Sequence, residues 1–298
     1  MGTQRRALVL NFDAEYELEN PKGYSPSPKI VRQMGRLAES YRGALLATDV
    51  VVTPETRAQS LVGVQGLAWC PTPRAQALLA RVGARPAPGP SLPVLQRVND
   101  RRFGIEVQPD PLGARYVNTL AEALAHLSPP FPPHGYLTKR AFGFAGRGQR
   151  VMPGPAELTA DDVGWVRNSL RRGPGLVIEP RVVRTLDCAV HGYVRASGEV
   201  SLGPPLIQHC DAHGKWLHTS PLAQGRAQAT LTADERAELQ ASALRVAAAL
   251  HEEGYYGPFG IDAFRFMGAQ GELRFRPLVE VNARLTMGYV HSGLPLAE

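Results

Sequence analysis

Five side chains carry the chemistry that can be read from this chain: Lys139, Asp262, Glu280, Asn282 and Arg284. Glu280, Asn282 and Arg284 occupy every second position of LVEVNARLTMG, and Asp262 sits in GPFGIDAFRF. Strand side chains alternate between faces, so the first three can project from one face. Gly260, Asp262 and Phe264 share a face of another strand by the same rule. Two carboxylates and an amide oxygen are hard ligands, of the kind Mg²⁺ takes together with phosphate oxygens. The planar fork of Arg284 suits a phosphoryl group or a carboxylate. Period-two polarity also suits a merely solvated face, but an asparagine flanked by Val281 and Ala283 fits that reading less well.

Lys139 closes the strand-like YLTK, in a chain whose only other lysines are Lys22, Lys29 and Lys215. Gly143, Gly146 and Gly148 follow it, with Gly135 upstream. Glycine lets backbone N–H groups approach an anion that a Cβ would hold away. The order is wrong for a P-loop, whose lysine follows the glycines, and the context is wrong for a dinucleotide-binding turn. In LVIEPRV, the apolar run Leu176 to Ile178 breaks at Glu179 and Pro180. That offers a flat slot for a purine, with the Pro180 carbonyl and the Val182 N–H beside it, or simply a strand end.

These residues need elements to position them. A chain of 298 residues with 44% hydrophobic side chains builds more than one packed unit. Strand and helix signals alternate over the first ninety or so residues, which predicts a small parallel α/β domain. Ser27 with Pro28 reads as a helix start, and DAEYELENPKGYSPSP as an acidic loop. A Pro- and Gly-rich linker spans residues 85–93. Beyond it, VNTLAEALAHL reads as a helix, and three hairpins turn at Ser197-Gly198, near His213-Gly214 and at Ala269–Gly271. Thr232 and Glu235 form a capping box ahead of a long helix that stops at Gly254. The second part is therefore α+β.

Composition narrows the function classes. The net charge of +6 comes from scattered arginines, with no basic stripe interleaved with aromatics, so a nucleic-acid partner is not expected. No apolar run is long enough to span a membrane, and the N-terminal apolar stretch is too short for a secretory signal. Cys70, Cys188 and Cys210 are far apart and odd in number, which fits a reducing, cytoplasmic compartment. His209, Cys210, His213 and His218 lie within ten residues, but neighbours on a strand face opposite ways, which argues against a zinc site.

In this order, TKRAFGFAGRG, VIEP, GPFGIDAFRF and VEVNAR resemble the ATP-grasp superfamily over roughly residues 95 to 292. The resemblance implies an α/β N-terminal domain followed by an α+β ATP-grasp fold, two lobes clamping a nucleotide. The implied divisions are 1–92, a pre-ATP-grasp-like α/β domain; 93–180, a small lobe with a glycine-rich lid; and 181–298, a large lobe with the metal site. It implies that Lys139 and Arg284 are catalytic, and that Lys139, Gly143, Gly146, Gly148, Glu179, Pro180 and Val182 bind ATP. Asp262, Glu280 and Asn282 are the implied ligands of Mg²⁺, or of Mn²⁺ in its place.

The implied activity is that of an ATP-dependent ligase of the carboxylate–amine type. Such an enzyme activates a small-molecule carboxylate as an acyl phosphate for attack by an amine or other nucleophile. A small-molecule kinase and a non-catalytic nucleotide-binding module are the alternatives. The family's earlier lysine is missing from LQRVNDRRFGIEV, where Arg101 or Arg102 stands instead. Candidates for contacting the acceptor are Arg181, Arg184, Asp187, His191, Arg265, Arg274 and Arg276, with Asn11, Asp13 and Glu15 at the end of the first strand. Monomer and homodimer both stay open.

Overall fold

The computed structural model describes residues 5–144, 146–152, 158–211, 216–222 and 230–296. Its first sheet is parallel: β1 (Arg6–Val9) lies between β2 (Val50–Val51) and β3 (Gln65–Ala68), and β4 (Arg85–Pro86) flanks β3. Helices α1 (Ala14–Glu19), α2 (Pro28–Tyr41) and α3 (Pro73–Arg81) connect these strands. Ala7 and Val9 of β1 pack with Leu79 and Val82 in a small core. Ser27 caps α2 and Pro28 opens it, as the sequence predicts.

The segment predicted as an acidic loop contains α1 instead. Glu15 and Glu17 are buried and Glu19 is half-buried, because each finds a donor on another element. Glu15 meets Arg284, and Glu17 accepts from Thr72 Oγ1 at 2.7 Å and the Arg74 N–H at 2.9 Å. Glu19 meets Arg140 at 2.6 Å. Paired carboxylates tolerate burial that isolated ones do not.

Two further helices, α4 (Leu92–Asn99) and α5 (Arg101–Val107), begin where the linker was expected to end. The second sheet is antiparallel, in the order β5 (Arg115–Val117), β8 (Leu176–Pro180), β6 (Tyr136–Arg140), β7 (Gln149–Met152). Helices α6 (Leu120–His126) and α7 (Ala160–Arg172) share its core with Leu176 and Ile178. The α7 helix was missed because Gly164 and Asn168 weaken its propensity. Its start signal, Thr159 with Asp162 in a capping box, was present.

The third sheet runs β12 (Trp216–Pro221), β11 (Leu206–Cys210), β9 (Val183–Val194), β13 (Gly257–Met267), β14 (Leu273–Asn282), with β10 (Val200–Leu202) paired to β9. The first and third predicted hairpins are β9–β10 and β13–β14. Strands β11 and β12 do pair, but their turn near His213-Gly214 lies outside the described residues. Helix α8 (Ala233–Glu252) covers this sheet, with Gly254 just past its end at a φ of +81°. One large core joins Phe12, Tyr41 and Trp69 of the first unit to Ile261 and Val281 of the third sheet and to Leu285 just beyond it. No helix among the described residues is long and apolar enough to cross a membrane.

Glu235 serves twice: it completes the α8 capping box with Thr232, and it pairs with buried Arg265. Arg265, a candidate for substrate contact, is thus an internal brace. Thr232→Ala should lower urea-unfolding stability by about 1 kcal/mol. Glu235→Ala should lower it by roughly 3–5 kcal/mol, since it strands a buried guanidinium.

Candidate functional site

All three sheets contribute walls to one cleft of about 1080 Å³. Lys139 and Glu179 come from the second sheet, Asp262, Glu280 and Asn282 from the third, and Phe12 and Trp69 from loops of the first. Arg284, Gly143, Gly146, Pro180 and Val182 also line it. Of the sequence-predicted site residues, Gly148 is outside the lining; it closes the hairpin by accepting the Arg140 N–H at 2.7 Å.

The floor is a buried charge cluster. Lys139 Nζ lies 2.6 Å from Glu179 Oε1, and Arg276 Nη1 donates to Glu179 Oε2 at 2.9 Å. Arg276 Nε stands 2.8 Å from Asp110. Burial pushes the Glu179 carboxyl up, but Lys139 and Arg276 outweigh it and hold it down at about 2. Both Glu179 oxygens are therefore taken by protein cations. Arg276, another candidate for substrate contact, belongs to this floor. Pro180 and Val182, with Leu137 and Val151, give one part of the lining apolar side chains, and Arg181 lies between the first two.

The acids stand opposite one another. On adjacent strands, Asp262 pairs with Glu280 and Gly260 with Asn282. Directly opposed residues share a face, so the two carboxylates meet on the cleft side. The Asp262 carboxylate accepts from Gln208 Nε2 at 2.7 Å and Asn282 Nδ2 at 3.1 Å. Burial first, and then the charge of Glu280, raise its pKa to about 6. Glu280 accepts from Arg101 Nη2 at 2.9 Å. Like charges this close signal a shortage of positive charge, which is the condition a divalent cation relieves. Among the described residues, no three His, Cys, Asp or Glu side chains gather in a metal-holding group; the set here is two carboxylates and an amide.

Two details differ from the strand-alternation reading. The β13–β14 register shifts after Asp262, which interrupts the alternation toward Phe264. Strand β14 also ends at Asn282, and the Arg284 N–H folds back onto the Asn282 carbonyl at 2.9 Å. The Arg284 side chain accordingly reaches Glu15 of α1, Leu285 O at 3.0 Å and Asn282 Oδ1 at 2.9 Å. The Asn282 amide oxygen, expected to face a metal, accepts from Arg284.

Arg101 and Arg102 part company at the start of α5. Arg102 points out to Glu106 and lies over the Tyr116 ring. Arg101 enters the cleft, donating to Arg140 O at 2.6 Å and Gly143 O at 3.4 Å as well as to Glu280. It thereby fastens the glycine loop to the opposed acids. The loop also leans on the first unit: Arg147 donates to Gln33 of α2 at 2.8 Å, and Phe144 meets Tyr16 edge-on at 5.1 Å. A Cβ on Gly143 would lie 2.4 Å from the Arg147 carbonyl oxygen.

The remaining candidates sort by their partners. Arg184 pairs with Asp187 at the cleft margin, where Arg181 is exposed. Arg274 is exposed and sits over Phe266. His191 is buried outside the lining, its ring near Gly260 and Gly288, and burial lowers its pKa to about 4. Asn11 holds the Cys70 carbonyl, and Asp13 holds Tyr24 and Arg74. His209 and His218 stack across strands at 4.0 Å, and His213 lies outside the described residues. Burial pushes the Cys210 thiol up to about 12, so it is no nucleophile at neutral pH. Gln208 and Gln33 escaped the sequence reading, because a lone glutamine on a strand or helix carries no local signal.

No family model and no curated protein matches this chain. Solved structures do match it. Carboxyaminoimidazole ribonucleotide synthase from Aspergillus clavatus, solved with ATP, is 15% identical and aligns with a TM-score of 0.53 over 98% of this chain and 78% of its own. The architecture matches the general ATP-grasp fold. D-alanyl-alanine synthetase A from Vibrio cholerae, at 14% identity and TM-score 0.52, is covered over 95% of its length and covers 98% of this chain. Pyruvate carboxylase from Rhizobium etli gives 18% identity and TM-score 0.56 over 99% of this chain, which spans only 28% of that longer one. At such identities the ATP-grasp likeness is one of fold.

Replacing Glu179 tests the floor. Its depressed pKa, about 2 against an ordinary 4.5, contributes stability that is present above pH 4.5 and lost as pH falls toward 2. Glu179→Gln should cost roughly 3–5 kcal/mol in urea unfolding at pH 7. The gap to wild type should narrow through that acid window. Gly143→Ala should leave the circular dichroism spectrum unchanged and cost about 1–3 kcal/mol in urea unfolding, since the added Cβ meets a backbone carbonyl and the loop must shift.

Proposed function

We propose that this protein is an ATP-dependent ligase that activates a carboxylate as an acyl phosphate. The observation that carries the reading is the cleft itself, where Lys139, Arg101 and the glycine loop face the opposed Asp262 and Glu280. In this reading residues 1–92 precede the ATP-grasp part, 93–180 form the small lobe with its lid, and 181–298 form the large lobe. The ATP seen in the Aspergillus clavatus synthase supports a nucleotide in the same fold. Adenine goes to the apolar part of the lining near Pro180 and Val182, and the phosphates lie under Gly143 and Gly146, close to Lys139.

Asp262 and Glu280, with Asn282 beside them, would hold Mg²⁺ or Mn²⁺, which when bound neutralises phosphate oxygens. This chain's own residues position and neutralise. Lys139 is fixed by Glu179, and Arg101 offers a planar guanidinium where the family's earlier lysine is missing. Arg284 is held beside the acids by Glu15. A substrate carboxylate oxygen attacks the terminal phosphorus, the bond to the bridging oxygen breaks, and ADP leaves with that electron pair. An amine then attacks the acyl carbon. The carbon–oxygen bond to phosphate breaks, phosphate leaves, and the amine proton goes to water. The glycine loop, closed against α2, keeps water from the acyl phosphate.

Arg101, which donates to Glu280 inside the cleft, supports a catalytic reading over a non-catalytic nucleotide-binding module. Calorimetric titration should show ATP binding that depends on Mg²⁺ and weakens by tenfold or more, about 1.4 kcal/mol, in Glu280→Gln. With a turned-over acid, one ¹⁸O from its carboxylate should appear in phosphate. A stable phosphorylated product with no oxygen transfer would identify a kinase instead.

A further inference from the structure

We infer that the acid this cleft activates is a monocarboxylate carrying an apolar, preferably aromatic, arm; the inference rests on the ligase reading above. The nucleotide reading uses the polar floor, the glycine loop and the apolar lining at Pro180. Beyond Arg284 the same cleft continues along a different surface. Phe12 and Trp69 follow β1 and β3, at the carboxyl ends of parallel strands, where open α/β sheets receive ligands. Their rings meet edge-on at 4.5 Å. Leu37 of α2 and Met287 are half-buried, line the cleft and pack on the same core as those rings.

The charge arrangement separates one acid class from another. The Arg284 guanidinium lies 6.0 Å from the Trp69 ring centre, so the charge abuts the apolar wall. Of its five N–H hydrogens, Glu15 takes that of Nε and one on Nη2, Asn282 the other on Nη2, and Leu285 one on Nη1. One Nη1 hydrogen therefore remains for a carboxylate oxygen. Glu15 already balances the arginine, so the pair offers a single anchoring hydrogen bond and little net charge. A second carboxylate or a phosphate on the substrate would have to lie against Phe12, Leu37, Trp69 and Met287. Burying an uncompensated anion there is strongly unfavourable. A carbon arm instead gains by leaving water.

The test uses the full chain with Mg²⁺, ATP and hydroxylamine, a nucleophile that traps acyl phosphates as hydroxamates. The acids are 3-phenylpropionate, hexanoate, succinate and phosphoserine. We expect 3-phenylpropionate to give hydroxamate and ADP with kcat/KM at least about tenfold above succinate. Leu37→Glu should lower that value by about tenfold, and leave the MgATP affinity measured by calorimetry unchanged. Leu37→Ala, which adds no charge, should lower it less.

Preference for succinate or phosphoserine, or indifference to Leu37→Glu, would overturn the inference. A binding readout separates its failure from that of the ligase reading. Quenching of tryptophan fluorescence by 3-phenylpropionate, with a non-hydrolysable ATP analogue present, supports the apolar wall even without turnover. Binding with no turnover would then overturn the ligase reading alone, and no quenching would overturn the wall.

Discussion

A single carboxylate, Glu179, holds two cations from two sheets out of water: Lys139 from β6 and Arg276 from β14. Much else in the cleft depends on that contact. It fixes the lysine ammonium at the floor, ties the second sheet to the third, and through Arg276 brings Asp110 into the same cluster. Four charges sum to zero in a place where none of them is exposed to any extent. A buried arrangement of this kind is tolerated only while every member stays paired.

Above the floor, arginine does what lysine could not. An ammonium is a point charge with three rotatable donors, whereas a guanidinium presents a planar fork. Arg101 directs that fork to the carbonyl at the end of β6, a loop carbonyl and Glu280 at once. The glycine loop and one of the opposed acids are thus joined through one side chain. Asp262 is left to the neutral amides of Gln208 and Asn282, which only partly offset the burial and the Glu280 charge that raise its pKa to about 6.

What was legible in the sequence follows the reach of each signal. Capping boxes, hairpin turns and the α/β-then-α+β order are local, and Thr232 with Glu235, Ser197-Gly198 and Ala269–Gly271 mark them within a few residues. The convergence of Lys139, Gly143, Glu179, Asp262, Glu280 and Asn282 on one cleft was implied by the resemblance of their motifs to the ATP-grasp order; strand alternation placed only residues of one strand on a common face. What depended on distant partners could not. Helix α1 looks like an acidic loop until Arg284, Thr72 and Arg140 supply its donors. Arg284 looks like part of a strand until the chain folds back at Asn282. The choice between Arg101 and Arg102 turns on which way α5 faces, and adjacent residues of one composition do not encode that. The α7 helix is the exception: its capping signal was local and was outweighed by a glycine and an asparagine.

The contact between Glu15 and Arg284 makes the first ninety residues part of the cleft and not a separable module. Recombination between relatives of this fold would have to exchange α1 together with the segment after β14. A chimaera with a foreign first unit would inherit a guanidinium whose counter-ion had been left in the other parent. The two segments thus depend on each other for charge balance, although more than 250 residues of chain lie between them.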